Sequence, residues 1–344
     1  MNTRSQREIE RNIAIHDRLA RRYDALHGEI FNDVEQARLR VALARAASFV
    51  ESGTSTLTAL DMGCGSGNLS RHLLELGGQV LAADVSQGFL DLVEHRFSGR
   101  PINTVKLNGH DLSNISSNSR DIVAAYSVLH HIPDYIAAIK EMARVCTVGG
   151  VIYLDHELTD EYWADDPVYD QFKAEALRFD WRKYLVWSNY VDRVHRIFDP
   201  RYTNEGDIHV WPDDHIEWSK IDKLLSDAGF DCVHAEDYLL SRKLYRPSIY
   251  SHYVGRCTDM RNRVYRRRGA APPAAPRSDI VAGVGWTGDP RSISNPDIEF
   301  TSSMACRKDC CCGLGKCGCL NFRDQLESWL ECIECAPRFS MARA

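Results

Sequence analysis

The feature that most constrains the fold is a regular alternation of short apolar runs and amphipathic stretches, which starts near residue 56. The amphipathic stretches, for example NLSRHLLEL (68–76), carry apolar residues at helical spacing. Strands that are apolar throughout and alternate with helices are typical of a parallel sheet covered on both faces. We therefore predict an α/β fold with a Rossmann-like, doubly wound, mostly parallel sheet and a ligand site beyond the carboxyl ends of its strands. The strand-like runs are TLTALDM (56–62), QVLAADV (79–85), INTVKLN (102–108), DIVAAYSVL (121–129) and GGVIYLDHE (149–157).

The segments around this alternation differ in character. Residues 1–50 read as N-terminal helices, and the α/β domain is predicted to span 51–263. The aromatic-rich segment 157–215 breaks the alternation and is predicted to be a mostly helical cap inserted into the domain. After it, DCVHAEDYLL (231–240) and SIYSHYVGRC (248–257) are predicted to form a late antiparallel strand pair.

Composition restricts the class of protein. The chain has 344 residues, of which 44% are hydrophobic and 26% charged, as in a soluble globular protein. The net charge of −6 argues against a nucleic-acid partner. The charged N-terminus lacks the apolar core of a signal peptide, and no apolar run approaches membrane-spanning length. We expect a cytoplasmic protein without a membrane partner, and no pattern predicts its oligomeric state.

The stretch DMGCGSG (61–67) joins the first strand to the first helix and carries the main chemical signal. Gly63, Gly65 and Gly67 allow a sharp turn and a close approach of the backbone to a ligand. Their G-x-G-x-G spacing differs from the dinucleotide fingerprint, which argues against an NAD-dependent oxidoreductase, and no P-loop lysine follows. Asp61, just before the turn, suits a ligand with a cationic end better than a pyrophosphate.

Two further acidic residues end the next two strands. Asp84 is placed to accept hydrogen bonds from ribose hydroxyls, although it could instead cap a helix, as could Ser86. Asp111, in NGHDLS (108–113), is placed for an adenine amino group, although it could be a turn residue. A cation, a ribose and an adenine together describe S-adenosylmethionine (SAM), which is the predicted cofactor.

These stretches closely resemble the class I SAM-dependent methyltransferases, especially those that act on small molecules. The likeness covers about residues 10–260, so 51–263 is predicted to be a SAM-binding methyltransferase domain that transfers a methyl group by in-line displacement. The resemblance implies that Asp84 holds the ribose and that Tyr23 closes over the cofactor, unless Tyr23 is a packed core residue. The matching motifs are LDMGCGSGNLS (60–70), LAADVS (81–86), HDL (110–112), YSVLHHIPD (126–134) and GGVIYLDHE (149–157). The cofactor-binding residues implied by the resemblance are Tyr23, Asp61, Gly63, Cys64, Gly65, Gly67, Asp84, Val85, Asp111, Leu112, Ser127 and Val128.

Two adjacent histidines are the candidates for catalysis. His130 and His131 follow the fourth strand, where acceptors would enter, and a histidine can titrate near neutral pH. A base is needed only if the acceptor is a hydroxyl, a thiol or a protonated amine, and the histidines could simply shape the site. His156 and Glu157, after the fifth strand, are weaker candidates of the same kind.

The cap is predicted to choose the small-molecule acceptor. Its aromatic side chains could form a pocket for a hydrophobic or ring-bearing substrate, or they could be the cap's own core. They are Tyr162, Trp163, Trp187, Tyr190 and Trp211.

The C-terminal part of the chain has a different composition. A proline- and alanine-rich linker is predicted over 264–305, and residues 306–344 form a Cys-rich tail. Clustered cysteines could bind zinc or another thiophilic metal, and redox sensing, lipidation or no role at all are alternatives. The alternative function is therefore a metal-binding or redox-sensing protein on a methyltransferase-like scaffold. The best-spaced ligands for a metal are Cys317, Cys319, Cys332 and Cys335.

Overall fold

The structure, a computed structural model, describes residues 3–51, 56–176, 195, 197–203, 205–242 and 245–269. The linker beyond residue 269 and the whole Cys-rich tail lie outside these residues, as do Trp187 and Tyr190 of the cap. Within the described residues, no helix is both long enough and apolar enough to cross a membrane.

Helices form the N-terminal region, as predicted. A 3-10 turn at Ala20–Arg22 separates the first helix from the second. Asn32 caps the third helix, because its side chain accepts from the backbone N–H of Glu35 at 3.0 Å. The helices are α1 (Thr3–Leu19), α2 (Tyr23–Leu26) and α3 (Asp33–Ser48).

The α/β region forms a seven-stranded sheet in the order β3-β2-β1-β4-β5-β9-β8. The first five of these strands are parallel, while β9 is antiparallel to both β5 and β8. The mostly parallel, Rossmann-like sheet with a late antiparallel pair is thus confirmed. The strands are β1 (Thr58–Met62), β2 (Gln79–Asp84), β3 (Ile102–Lys106), β4 (Arg120–Tyr126), β5 (Cys146–Leu158), β8 (Phe230–Tyr238) and β9 (Met260–Arg267).

The helices pack on both faces of the sheet because successive strand residues point to opposite sides. In β4, Ile122 packs against α3 and α4, whereas Val123 packs against α6 and α8. The helices that follow the N-terminal region are α4 (Asn68–Glu75), α5 (Gln87–Arg96), α6 (Tyr135–Val145), α7 (Pro167–Ala176), α8 (Trp218–Asp227) and α9 (Pro247–Tyr253).

Two features of the C-terminal region differ from the prediction. Residues 248–257, a strand by their sequence pattern, contain helix α9, and the second strand of the late pair is β9 instead. Pro247 stands at the first turn of α9, where its fixed φ favours a helix start. Strand β9 also runs to Arg267, beyond the domain boundary predicted at residue 263.

The described part of the cap contains both helix and strand. A 3-10 turn (Glu161–Trp163) and α7 are followed by a short hairpin of β6 (Val210–Trp211) and β7 (Asp214–His215). Tyr169 and Phe172 of α7 pack with tyrosines of α9 in a separate apolar cluster. This cluster attaches the cap to the end of the domain.

A buried charged group, here called the Arg38 cluster, attaches α3 to the sheet. The Arg38 guanidinium donates to Glu35 on its own helix and to Asp155 of β5 at 2.9 Å, and its carbon lies 3.7 Å from the centre of the Tyr238 ring. Burial alone would raise the pKa of Glu35, but the neighbouring Arg38 lowers it to about 2. Tyrosine hydroxyls complete the cluster, since Tyr126 donates to Glu35 and Tyr238 donates to Asp155.

Candidate functional site

A cavity opens at the carboxyl ends of β1, β2 and β4, the edge at which the sequence predicts the ligand. It encloses about 930 Å³ of space, part of it open to solvent. The chain runs from β1 outward to β2 and β3 and then returns to β4, so the cavity lies at the topological switch point of the sheet. The predicted residues that line it are Tyr23, Gly63, Gly65, Asp84, Val85, Asp111, Leu112, Ser127, Val128 and His131.

The glycine turn forms one wall of the cavity. Gly63 and Cys64 both donate their backbone N–H to the carbonyl oxygen of Ala83, at 2.8 and 3.0 Å, which fixes the turn beside β2. Gly63 has a φ of +69°, and a Cβ at this position would approach Cγ2 of Val128 to 2.2 Å. Glycine is therefore required at Gly63 both by the backbone conformation and by the close approach of Val128.

Substitution of Gly63 tests how closely the glycine turn packs against Val128. Gly63→Ala is expected to lower the free energy of unfolding by about 1–3 kcal/mol more than Gly77→Ala, because it adds a steric overlap to the strain of a positive φ. Gly77 has a φ of +78°, and a Cβ added there would have no atom within 4 Å, so this control isolates the strain. Urea denaturation of both variants measures the difference, and equal losses would contradict the proposed fit.

Not every predicted residue of the turn faces the cavity. Asp61 and Cys64 are buried and lie outside the lining, as does Gly67. The Asp61 carboxylate accepts from the Ser70 hydroxyl at 2.6 Å, and burial raises its pKa to about 7. Asp61 therefore anchors the first turn of α4, and the structure does not support its predicted contact with the cationic end of a ligand.

Asp84 faces the cavity from the end of β2. Its carboxylate accepts from the backbone N–H of Ser86 at 2.8 Å and of Gly65 at 2.9 Å, so it connects β2 to the glycine turn. Burial, opposed by these hydrogen bonds, raises the pKa of Asp84 to about 6. Ser86 caps α5 instead, by accepting from the N–H of Phe89. Because each carboxylate oxygen has a second lone pair, Asp84 retains acceptors for two hydroxyl groups.

Asp111 and Leu112 form the opposite wall. The Asp111 carboxylate accepts from the hydroxyl and N–H of Ser113, which lowers its pKa to about 2, so it holds the turn as well as lining the cavity. The backbone N–H of Leu112 donates to Glu141 of α6 at 3.1 Å. Glu141 also lines the cavity and is an acidic side chain that none of the sequence motifs contains.

Ser127 and Val128, at the end of β4, adopt an unusual backbone. Ser127 has a φ of +56°, which is uncommon for a residue with a side chain and is often found at functional sites. Its N–H donates to the carbonyl oxygen of Asp155, while the N–H of Val128 donates to the Glu157 carboxylate at 2.9 Å. The conformation is therefore maintained by the neighbouring strand β5.

Helix α1 covers the cavity, which the sequence patterns do not predict. Asp17 accepts from the Ser86 hydroxyl at 2.5 Å and from the N–H of Gly88 at 3.0 Å, so α1 is tied to the start of α5. Tyr23, just after α1, packs edge-on against Phe89 with ring centres 5.2 Å apart. Three residues of α1 line the cavity but are not predicted as site residues from the sequence. They lie on one face of the helix, and this helical spacing is the only sequence pattern that connects them. They are Ile9, Asn12 and His16.

The two candidate histidines have different surroundings. His131 lines the cavity, and burial together with the neighbouring His130 lowers its pKa well below the usual value. His130 lies behind it, with Nδ1 at 2.7 Å from the Glu157 carboxylate. Burial would lower the pKa of His130, but Glu157 and Asp207 raise it to about 9. His156, the weaker candidate, lies away from the cavity and contacts Tyr126 at 3.0 Å.

The aromatic residues of the cap do not form the predicted pocket in the described part of the chain. Tyr162, Trp163 and Trp211 are absent from the cavity lining. Tyr162 packs against Tyr169 with ring centres 5.6 Å apart, and Trp163 packs against Tyr162. These contacts agree with the alternative that the aromatic residues make up the cap's own core.

The sheet order, the glycine turn and the cavity define a Rossmann-like domain with a cavity at its switch point. Residues 60–154 match the family described as methyltransferase domain. The sheet order and this match support a class I SAM-dependent methyltransferase fold for this part of the chain.

Two proteins of similar sequence are both named ubiquinone biosynthesis O-methyltransferase. Ubiquinone biosynthesis O-methyltransferase of Idiomarina loihiensis is 34% identical over 110 residues, which is 30% of this chain and 45% of that protein. The protein of the same name from Colwellia psychrerythraea is 26% identical over 187 residues, or 54% of this chain and 65% of that protein. The chain thus spans less than half the length of the first relative.

Solved structures of low sequence identity are also among the matches. One is a putative methyltransferase complexed with the Trm112 activator of Haloferax volcanii, with a TM-score of 0.48 and 14% identity, covering 74% of this chain and 98% of that one. Another is magnesium protoporphyrin IX methyltransferase from Synechocystis with bound SAM, with a TM-score of 0.40 and 16% identity, covering 69% of this chain and 83% of that one.

Proposed function

We propose that this protein transfers the methyl group of SAM to an oxygen atom of a small-molecule acceptor. The observation that carries the proposal is the convergence of Asp84, the glycine turn, Leu112 and Ser127 on one cavity at the switch point of the sheet. The name O-methyltransferase borne by the relatives supports the choice of oxygen. A cytoplasmic location remains part of the proposal.

The residues of the cavity suggest how SAM would lie. The ribose hydroxyls would donate to Asp84, and adenine would lie against Val85 and Leu112, which are apolar and line the cavity. The methionine end would then extend past Gly63 and Gly65 toward Ser127. This orientation directs the methyl group toward the end of β4, where His131 lies.

The reaction would be an in-line displacement in which positioning supplies most of the catalysis. A lone pair of the acceptor oxygen forms the new O–C bond while the S–C bond of the sulfonium breaks. The bonding electrons stay on sulfur, which yields S-adenosylhomocysteine, and the acceptor's proton leaves to solvent. We propose that His131, the only one of the two candidate histidines that lines the cavity, faces the acceptor.

Thermal stabilisation by SAM tests the cofactor assignment. At a concentration 100 times its Kd, a ligand stabilises the folded state by about 2.7 kcal/mol, which corresponds to a rise in Tm of about 5–10 °C for a domain of this size. We expect this rise with SAM and none with NAD, as followed by differential scanning fluorimetry. A rise with NAD alone would favour the oxidoreductase alternative and overturn the proposal.

The acceptor can be identified with the same protein. Incubation of small-molecule extract with SAM labelled on its methyl carbon is expected to yield a labelled product in which the label is bonded to oxygen, as read from the carbon chemical shift by NMR. Label bonded to nitrogen, carbon or sulfur would leave the cofactor assignment intact and contradict the choice of oxygen.

A further inference from the structure

Three ligand-type side chains meet beside the cavity, just beyond the end of β4. One nitrogen of His130, one nitrogen of His131 and one oxygen of Asp207 all lie within 4.8 Å of one another. Oδ1 of Asp207 is 3.5 Å from Nδ1 of His131 and 3.8 Å from Nε2 of His130. Ligands of a tetrahedral zinc ion, with bonds of about 2.0–2.1 Å, lie about 3.4 Å apart. Small side-chain movements would therefore bring all three atoms to bonding distance of one ion.

The His131 imidazole has a backbone contact with Gly206, and its Nδ1 faces Oδ1 of Asp207. Nδ1 of His131 and Oδ1 of Asp207 are both buried and have no hydrogen-bond partner in the described part of the chain. Buried polar atoms without partners are rare in proteins, and where they occur they often contact a bound water or ion. The two atoms point at each other across a gap that is too long for a good hydrogen bond.

The surroundings hold His130 in the orientation that a metal ligand needs. Glu157 accepts from Nδ1 of His130 at 2.7 Å, which leaves the Nε2 lone pair directed toward Asp207. The other oxygen of Glu157 accepts from the N–H groups of Val128 and Leu129, so the carboxylate is itself fixed. A carboxylate that orients a histidine in this way is a regular companion of zinc-bound imidazoles.

The cap brings Asp207 to this place through main-chain contacts. The N–H groups of Ile208 and His209 donate to the carbonyl oxygen of His130, at 2.8 and 3.1 Å. On the other side, the Asn12 side chain of α1 donates to the carbonyl oxygen of His131 at 2.9 Å. The three side chains are thus held by the cap, by the end of β4 and by α1.

We propose that His130, His131 and Asp207 bind a divalent transition-metal ion, with Zn²⁺ as the best match. Two imidazole nitrogens and one carboxylate oxygen are donors that such ions prefer over Mg²⁺ or Ca²⁺. Three protein ligands leave a fourth position open, as in catalytic rather than structural zinc sites.

The role of the ion rests on the proposed methyltransferase function. Because His131 lines the cavity, the open position faces the space in which the acceptor would lie. A hydroxyl oxygen bound there loses its proton to solvent more easily, and one lone pair remains available to attack the methyl carbon. The S–C bond then breaks with its electrons going to sulfur, as in the reaction without metal.

Metal titration of the full-length protein tests the site without SAM or acceptor. Metal-stripped protein is titrated with Co²⁺, followed by calorimetry and visible absorption, for the wild type, Asp207→Asn and the control Asp213→Asn. Asp213 belongs to the same hairpin region but is exposed and pairs with Arg201. We expect Asp207→Asn to bind one equivalent of Co²⁺ less than the wild type and Asp213→Asn to bind as many.

The Cys-rich tail is present in all three proteins, so its contribution cancels in the comparison. The absorption lost in Asp207→Asn is expected to be in the visible bands of nitrogen- and oxygen-bound cobalt, without the near-ultraviolet bands of thiolate ligands. Circular dichroism of each protein confirms that it is folded. His131→Gln provides a second variant with the same expected loss. If the wild type and both site variants bind the same number of Co²⁺ equivalents, the proposed metal site is wrong. The methyltransferase function is tested separately, by thermal stabilisation with SAM.

Discussion

Asp84→Ala is expected to weaken SAM binding by about 30- to 150-fold, measured by isothermal titration calorimetry at pH 7.5. In the proposed binding mode the variant removes the ionised acceptor of the ribose hydroxyls, and losing the hydrogen bonding to a charged group costs about 1.5–3 kcal/mol. A total loss of about 2–3 kcal/mol corresponds to that change in Kd. The N–H groups of Gly65 and Ser86 would also lose their acceptor, which loosens the glycine turn.

The matched control is Asp91→Ala, which removes an exposed carboxylate on the following helix α5. We expect this control to change the Kd for SAM by less than about twofold, since it makes only an exposed contact with Gln87. Unchanged SAM affinity in Asp84→Ala would show that the ribose does not bind at the end of β2.

The same carboxylate predicts a pH dependence. Burial raises the pKa of Asp84 to about 6, with Asp17 and Asp61 as neighbouring acidic groups. Hydroxyl donors favour the ionised form, so protons compete with SAM and affinity falls as the pH drops below about 6. Between pH 7 and pH 5 we expect a loss of up to about tenfold in the wild type. Asp84→Asn should lack this component of the dependence.

Arg38→Met is expected to lower the free energy of unfolding by about 3–5 kcal/mol, measured by urea denaturation at pH 7. The variant leaves Glu35 and Asp155 buried without their cation, and an unpaired buried charge is costly. The methionine also loses the stacking contact with Tyr238. Among variants that each remove one charged side chain of α3, we therefore expect Arg38→Met to lower the free energy of unfolding most.

Arg40→Met on the same helix is the control for Arg38→Met. Arg40 is exposed and lies 3.7 Å from the exposed Glu75, so its removal should cost less than about 1 kcal/mol. Equal destabilisation by the two variants would mean that the Arg38 cluster contributes no more than an ordinary surface pair.

The sheet could be predicted from the sequence because its strands carry a local signal. Each of the first five strands is an apolar run followed by a helix, and their order follows from the rules for parallel sheets. Helix α9 could not be predicted as easily, because SIYSHY is rich in residues that also favour strands. Its conformation is stabilised by packing of Tyr250 and Tyr253 against Phe172, a contact far apart in sequence.

The residues of the site also differ in whether the local sequence indicates them. Asp84, Gly63 and Ser127 could be predicted because each stands at, or directly after, the carboxyl end of a strand, the edge where ligands bind in such sheets. The covering residues Asn12 and His16 lie about 100 residues before the His131 loop, and no local pattern indicates that α1 crosses the cavity. The same limitation applies to Asp207, which reaches His130 only through the folded cap.

The contact between Asp17 and the start of α5 has a consequence for how this protein could be redesigned. The wall made by α1 is joined to the start of α5 by the hydrogen bonds of Asp17, whereas the wall made by the strand ends belongs to the core. Exchange of α1 would therefore change the covering side chains of this cavity, Ile9, Asn12 and His16, without replacing the strand ends beneath them. The cover of the cavity can thus be varied independently of the strand ends that would hold the cofactor.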